Sequence, residues 1–234
     1  MVSIQQGEEA GRWKVDKALL SQLRNEQKIL AERVSIEDDF GEIKLVAGVD
    51  VGYPAKKAGL RREKEELVVG AGVVMNYKTF KVVEELSLTM SVDFPYIPTY
   101  LSFREKPVLK SVLSNLKNKP DVVMVDGNGI LHPLGIGIAS HIGVEMDIPT
   151  IGIAKKYLCG EVRGKGRLRP VILNGEVRGY AFLPFHHLKR PIYISPGHKI
   201  SLESALEITK KFCFYRIPEP VRRAHILSKT QNQK

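Results

Sequence analysis

Lys44-Leu45-Val46-Ala47-Gly48-Val49-Asp50-Val51 is a nearly unbroken apolar run that carries one carboxylate. Apolar residues at successive positions, rather than at alternate ones, mark a strand buried on both faces, and such strands lie in sheets flanked by helices. Two more strand-like runs follow, Leu67–Asn76 and Phe80–Thr89, separated by a few polar residues. That spacing predicts an antiparallel meander built on the first strand. The segment between the first two runs holds Lys56, Lys57, Arg61, Arg62, Lys64, Glu65 and Glu66 and reads as a solvated loop.

Further outward, residues 100–118 read as helical. Leu109, Val112, Leu113 and Leu116 recur at i, i+3, i+4 and i+7. Pro107 has no N–H to donate, so a short helical piece is expected before it and a longer one after it. Asp121–Asp126 (DVVMVD) is a short buried strand ending in an acid, followed by a glycine-rich loop, a helix near 136–146 and a buried strand at Thr150–Ala154. Arg169–Leu173 and Glu176–Phe182 flank Asn174-Gly175, a dipeptide suited to a type I′ hairpin. Pro191–Ile194 reads as an edge strand. Ser201 is a good N-cap for a helix to about 213, and a last helix covers roughly 219–229. Upstream, residues 16–34 form an amphipathic helix with Leu20, Leu23, Leu30 and Val34 near one stripe. The order predicts an α/β fold with a central mixed β-sheet flanked by helices. A single domain over 1–234 is expected, with 1–14 and 230–234 as flexible ends.

The chain carries 36 Lys+Arg against 26 Asp+Glu, a formal charge of +10. An excess of that size favours a polyanionic partner, because phosphates neutralised by Lys or Arg release condensed counterions. The plainer reading is that it keeps the protein in solution. Cys159 and Cys213 form neither a CxxC pair nor a metal-ligand cluster, and two reduced, buried thiols are expected. No apolar run reaches the ~18–20 residues that span a bilayer, and the first residues lack the basic-then-apolar order of a signal peptide. A soluble, cytoplasmic protein with no membrane partner is therefore expected.

Asp50 lies in or at the end of the first buried strand, where a lone carboxylate costs several kcal/mol unless paired or bound to metal. Asp126 ends DVVMVD, the place where an α/β sheet usually presents its ligand site. If these strands are neighbours, the two carboxylates face each other and repel, and a divalent cation resolves the conflict. Mg²⁺ held there can activate water and stabilise a leaving oxygen. The plainer alternative makes Asp50 a turn cap and Asp126-Gly127 a turn. Glu105, on the helical Ser102-Phe103-Arg104-Glu105, is weak alone because Arg104 or Lys106 can satisfy it on a helix surface.

Tyr96 sits in Phe94-Pro95-Tyr96-Ile97-Pro98, which two prolines hold extended. An exposed Tyr there suits stacking on a base or wedging into a duplex; a core aromatic is the alternative. The glycines of Gly127-Asn128-Gly129-Ile130-Leu131-His132-Pro133 let backbone approach a ligand closely, such as the edge of a flipped base. Lys155 is a candidate phosphate contact, and His132 another. His225 is a candidate for orienting water or moving a proton. His186, His187 and His198 offer no convincing metal-ligand spacing.

Six blocks, AGVDVGY (47–53), PYIPTYLSFRE (95–105), VDGNGILHP (125–133), ASHIGV (139–144), PTIGIAK (149–155) and PEPVRRAH (218–225), resemble the endonuclease V family in the same order over roughly residues 15–230. The resemblance implies an RNase H-like fold, Mg²⁺ (or Mn²⁺) dependence, and hydrolysis of the second phosphodiester 3′ to a deoxyinosine, leaving 3′-hydroxyl and 5′-phosphate ends. It implies that Asp50 and Asp126 are the principal metal ligands, that Glu105 completes the acidic site, and that His225 is its late histidine. Tyr96, with Ile97 and Pro98, would be the wedge. Gly127, Ile130 and His132 would line the pocket loop, and Lys155 would sit near the phosphates. The partner is DNA containing deoxyinosine, double- or single-stranded, and the protein is expected to act as a monomer. This chain departs from the family pattern at Thr99, where Gly is usual, and at Asn128, where His or Gln is usual. Since some members prefer inosine in RNA, an inosine-specific endoribonuclease with the same active site is the alternative. Three other classes fit less well. A lesion-blind RNase H-like nuclease leaves the pocket loop and Tyr96 without a use. An actin-like phosphotransferase would match GVDVG to a phosphate loop but needs a second, larger domain. A non-catalytic inosine-binding module would not need Asp50, Glu105 and Asp126.

Overall fold

The computed structural model describes residues 16–54 and 66–230. The charged segment read as a solvated loop therefore lies outside the described residues up to Glu65, as do the ends 1–15 and 231–234. The first buried run is strand β1 (Leu45–Gly52). It pairs antiparallel with β2 (Glu66–Asn76), which pairs antiparallel with β3 (Val82–Val92), as the meander required. Helix α1 (Lys17–Ala31) precedes them, capped by the side chain of Asp16. Helix α2 (Leu101–Asn115) then returns the chain to β4 (Val122–Val125), which lies parallel to β1 with Val49 beside Val125. After α3 (Ile138–Met146), β5 (Thr150–Ala154) adds parallel to β4.

The remaining elements are β6 (Glu161–Val162), β7 (Leu168–Leu173), β8 (Glu176–Phe182), β9 (Ile192–His198), α4 (Leu202–Lys211) and α5 (Glu219–Thr230). The described strands form one nine-stranded sheet in the order β3-β2-β1-β4-β5-β9-β8-β7-β6. Asn174 and Gly175 have φ of 55° and 83°, the two positive values a type I′ turn demands. Ser201 caps α4 by accepting from the Ser204 N–H.

Three expectations need correction. Helix α2 does not break at Pro107 but runs through it. The proline, seventh of the fifteen helical residues, removes one bond, from residue 107 to the carbonyl of Phe103. Buried Val108, Leu109, Val112 and Leu113 on the sheet outweigh that loss. Strand β9 is not an edge; it lies between β5 and β8. Its Pro196 falls where the register to β5 shifts between Thr150 and Ile151, and such an irregularity tolerates a missing donor. Cys159 and Cys213 are free but only half-buried, with burial pushing the thiols up to about 11 and about 12.

Alternation along the central strands fills both faces. Ala47, Val49, Val123 and Val125 pack with Val108 and Leu109 of α2 and Ala139 and Ile142 of α3. Val46, Met124, Ile151 and Ile153 pack with Phe212, which follows α4, and with Val221 and Ala224 of α5. No helix among the described residues is long and apolar enough to cross a membrane.

Candidate active site

Gly48, Asp50 and Gly52 share the parity of Val46 and so face α5. A Cβ on Gly48 would stand 2.1 Å from the Pro220 carbonyl carbon, and one on Gly52 would stand 2.5 Å from the Ser228 carbonyl oxygen. The two glycines thus let α5 lie flush on the strand, and Asp50 between them meets the helix side chains. Its Oδ2 is 2.8 Å from His225 Nδ1 and accepts from Ser228 Oγ at 3.2 Å. Because β4 is parallel and in register, Asp126 comes beside Asp50, and its N–H donates to the Val49 carbonyl at 3.0 Å. Lys155, which follows β5, pairs with Asp126 and lies 3.4 Å from His225 Nδ1. Asp50, Asp126 and His225 each offer one ligand atom, all within 4.8 Å of one another.

Burial holds the Asp126 carboxyl well above the usual range, and the adjacent Asp50 pushes it further. Burial raises Asp50 as well, but hydrogen bonds to His225 and Asp126 and the Lys155 charge more than offset it, leaving Asp50 lowered. Two carboxylates this close are thus driven apart, Asp50 downward and Asp126 upward. Glu105 reaches the same neighbourhood from α2 and is 7 % exposed. Burial, with Asp50 adding to it, pushes Glu105 up to about 7. The local ion pairs that were the plainer reading are not made. Arg104 binds Glu66 at 2.7 Å and the Phe94 carbonyl, and Lys106 binds Glu145. Glu105 instead accepts from the Tyr53 hydroxyl at 2.5 Å, and that hydroxyl accepts from Arg104 Nε at 3.2 Å.

Three acids, most of their surface buried, with one adjacent lysine and two of the carboxyls pushed upward by burial, fit a divalent cation. A carboxyl moved from 4.5 to about 7 on folding carries a stability penalty that is absent below pH 4.5 and full above pH 7. That penalty is about 3 kcal/mol. Glu105→Gln is therefore expected to raise Tm by several degrees at pH 8 in EDTA and to leave it nearly unchanged at pH 4. Equal shifts at both pH values in thermal unfolding would remove burial of the charge as the cause.

Tyr96 is 67 % exposed, so the core-aromatic alternative fails. Ile97 is half-buried and Pro98 exposed. Tyr100 N–H donates to the Ile97 carbonyl at 3.0 Å, closing a turn with Pro98 second and Thr99 third at φ 70°. That is the pattern of a type II turn, whose third position favours Gly; the departure at Thr99 therefore falls on a strained residue. His132 is 3 % exposed and burial pulls its imidazole down to about 4, so it is neutral and faces inward. The expected phosphate contact by His132 is corrected: its Nδ1 accepts from Leu134 N–H at 3.3 Å and its Nε2 lies 3.1 Å from the Thr99 carbonyl.

The glycine loop is pinned by its own backbone. N–H groups of Gly127, Gly129 and Ile130 donate to Ile153, Ser195 and Pro196. A Cβ on Gly129 would stand 1.9 Å from the Pro196 oxygen. Ile130 is buried, whereas Gly127 and Asn128 remain half-buried. The sequence reading missed Tyr53, Ser228 and the fit of Gly48 and Gly52 to α5. Ser228 had a signal, standing three residues after His225 on one helix face. A second cluster, Glu26, His141 and Glu145, lies among the described residues. Lys106 Nζ fills it, 2.8 Å from His141 Nε2 and 2.5 Å from Glu145.

Comparison with known proteins gives a consistent answer. A family model described as Endonuclease V matches residues 28–226. Endonuclease V of Gloeobacter violaceus is 43% identical over 205 residues, covering 85% of this chain and 80% of the relative. That of Thermofilum pendens is 42% identical over 211 residues, covering 88% and 86%. The catalytic domain of human endonuclease V superposes with TM-score 0.81 at 33% identity, covering 92% of this chain and 96% of that one. Ciona intestinalis endonuclease V, solved with a 24mer DNA containing an inosine followed by a ribo-adenosine, gives TM-score 0.82 at 31% identity, covering 93% and 99%. The mixed sheet flanked by helices is accordingly an RNase H-like fold.

Proposed function

Because the chain belongs to the endonuclease V family of nucleases, we propose that it recognises deoxyinosine in DNA and hydrolyses the second phosphodiester 3′ to it, leaving 3′-hydroxyl and 5′-phosphate ends, with Mg²⁺ as cofactor and Mn²⁺ as a substitute. The observation that carries the reading is the meeting of Asp50, Asp126 and Glu105 with His225 and Lys155 in one basic protein. Asp50 and Asp126 would hold the cation, with Glu105 completing the acidic shell. A bound divalent cation supplies charge that offsets the negative charge growing on the phosphate and its leaving oxygen.

The chain's own groups do the rest. His225 Nδ1 faces Asp50, which leaves Nε2 as the nitrogen that takes or returns a proton at the attacked phosphodiester. Lys155, whose ammonium lies against Asp126 at the edge of the acidic cluster, would meet the phosphate of a bound strand. Tyr96, with Ile97 and Pro98, fills the space left by the lesion, and Gly127, Ile130 and His132 frame the pocket that receives it. The likeness to the Ciona protein solved with inosine-containing DNA supports this substrate. The protein acts as one monomeric domain.

The test is a nicking assay with Mg²⁺ on matched DNA and RNA oligonucleotides with one inosine or none, mapped on a gel. The expected result is a cut one nucleotide beyond inosine in DNA, absent with EDTA. Preference for the RNA strand would recast the protein as an inosine-RNA nuclease, and binding without cutting of either would overturn catalysis. DNA affinity is also expected to fall steeply with salt, as +10 net charge demands; a flat response in a salt titration would count against phosphate contacts by the basic surface.

A further inference from the structure

The carbonyl oxygen of Thr99, just beyond the exposed Tyr96, is held from two distant parts of the chain. Gln27 of α1 donates to it from Nε2 at 2.8 Å across 72 residues of sequence. His132, in the loop after β4, approaches it with Nε2 at 3.1 Å across 33 residues. Since His132 Nδ1 already accepts the Leu134 N–H, its proton sits on Nε2 and points at Thr99. Both lone pairs of one carbonyl are thus engaged by buried donors. Gln27 is 1 % exposed and interrupts the apolar stripe Leu20, Leu23, Leu30, Val34 of its helix. A buried amide on such a stripe needs a partner, and the Thr99 carbonyl is that partner. The grip also explains how a β-branched residue keeps φ 70°, a conformation that persists only where its surroundings impose it.

We infer that Gln27 is a positioning residue for lesion recognition: together with His132 it locks the Ile97–Tyr100 turn, so that Tyr96 is presented in its binding conformation before DNA arrives. The inference rests on the proposed wedge role of Tyr96. A preformed turn spares the ordering cost that a loose one meets on binding. The simpler role for Gln27, anchoring α1 to the body of the protein, predicts lost stability without lost discrimination.

The experiment is Gln27→Leu, which keeps the volume and removes the donor, in the full chain with and without Tyr96→Ala. Affinities for inosine and undamaged duplexes are measured by anisotropy without divalent cation, and single-turnover nicking is measured at saturating protein. The preference for inosine is expected to fall about tenfold, with the loss in affinity rather than in the saturated rate. In the Tyr96→Ala background, Gln27→Leu should cost no further preference. An unchanged preference with a lowered Tm would reduce Gln27 to an anchor and overturn the inference. So would a full additional loss in the Tyr96→Ala background. If Tyr96→Ala alone leaves the preference intact, the wedge reading fails and takes the inference with it, an outcome separable from failure of Gln27→Leu alone. Should the leucine variant not fold, Gln27→Asn, whose shorter amide cannot reach Thr99, gives the same readout.

Discussion

Replacing Asp50 or Asp126 by asparagine is expected to slow nicking of an inosine duplex at least about 10²–10³-fold, the range seen when one preorganised electrostatic group is removed from an active site. Asparagine keeps the size of each side chain, and at position 50 it still accepts from Ser228. What is lost is charge. Asp50 is the acid that ionises most readily in this site, so its replacement removes the strongest anionic ligand offered to a cation. Burial and the adjacent Asp50 push the Asp126 carboxyl upward, and a cation held there would favour its ionised form. Inosine-DNA binding should survive, since Tyr96 and its turn lie outside the acidic cluster. The check is the single-turnover rate in Mg²⁺ beside Mn²⁺ affinity from paramagnetic resonance. Normal turnover by either purified variant would remove these residues from the cation site.

Tyr96→Ala is expected to lower affinity for inosine DNA by about 5–150-fold, the value of one base–aromatic stack of roughly 1–3 kcal/mol. Affinity for undamaged DNA should change much less. With the ring 67 % exposed, its removal opens little space inside the protein, so Tm should hold within about a degree. Tyr96→Phe should retain most of the preference, because the ring face and not the hydroxyl stacks. Anisotropy on the two duplexes decides the matter: equal losses on both would make Tyr96 a general contact rather than a reader of the lesion.

Much of the fold was legible because burial on both faces leaves continuous apolar runs, as in Val46–Val51 and Val122–Val125, and because Asn174-Gly175 allows few backbone solutions. The errors came where tertiary packing overrode a local rule. Pro107 stays inside α2 since the residues after it are anchored on the sheet, and Pro196 sits inside the sheet since a register shift removes the need for its N–H. The acids were legible by position, Asp50 within one buried run and Asp126 at the end of another. Their partners were not. Tyr53 and Gln27 act through contacts across many residues of sequence that no local periodicity encodes, and Ser228 alone left a local trace, on the helix face of His225. Conversely, His132 read as a candidate phosphate contact, although its ring is spent on Leu134 and Thr99.

Helix α5 reaches the acids only by lying flush on β1, over the two glycines on either side of Asp50. A ribosome makes Asp50, Glu105, Asp126 and Lys155 well before it makes His225 and Ser228. Until α5 docks, the acids of β1 and β4 therefore lack one wall of their site. The docking of a single helix thus works as the closing clasp of the site, since it brings both side-chain partners of Asp50 at one stroke.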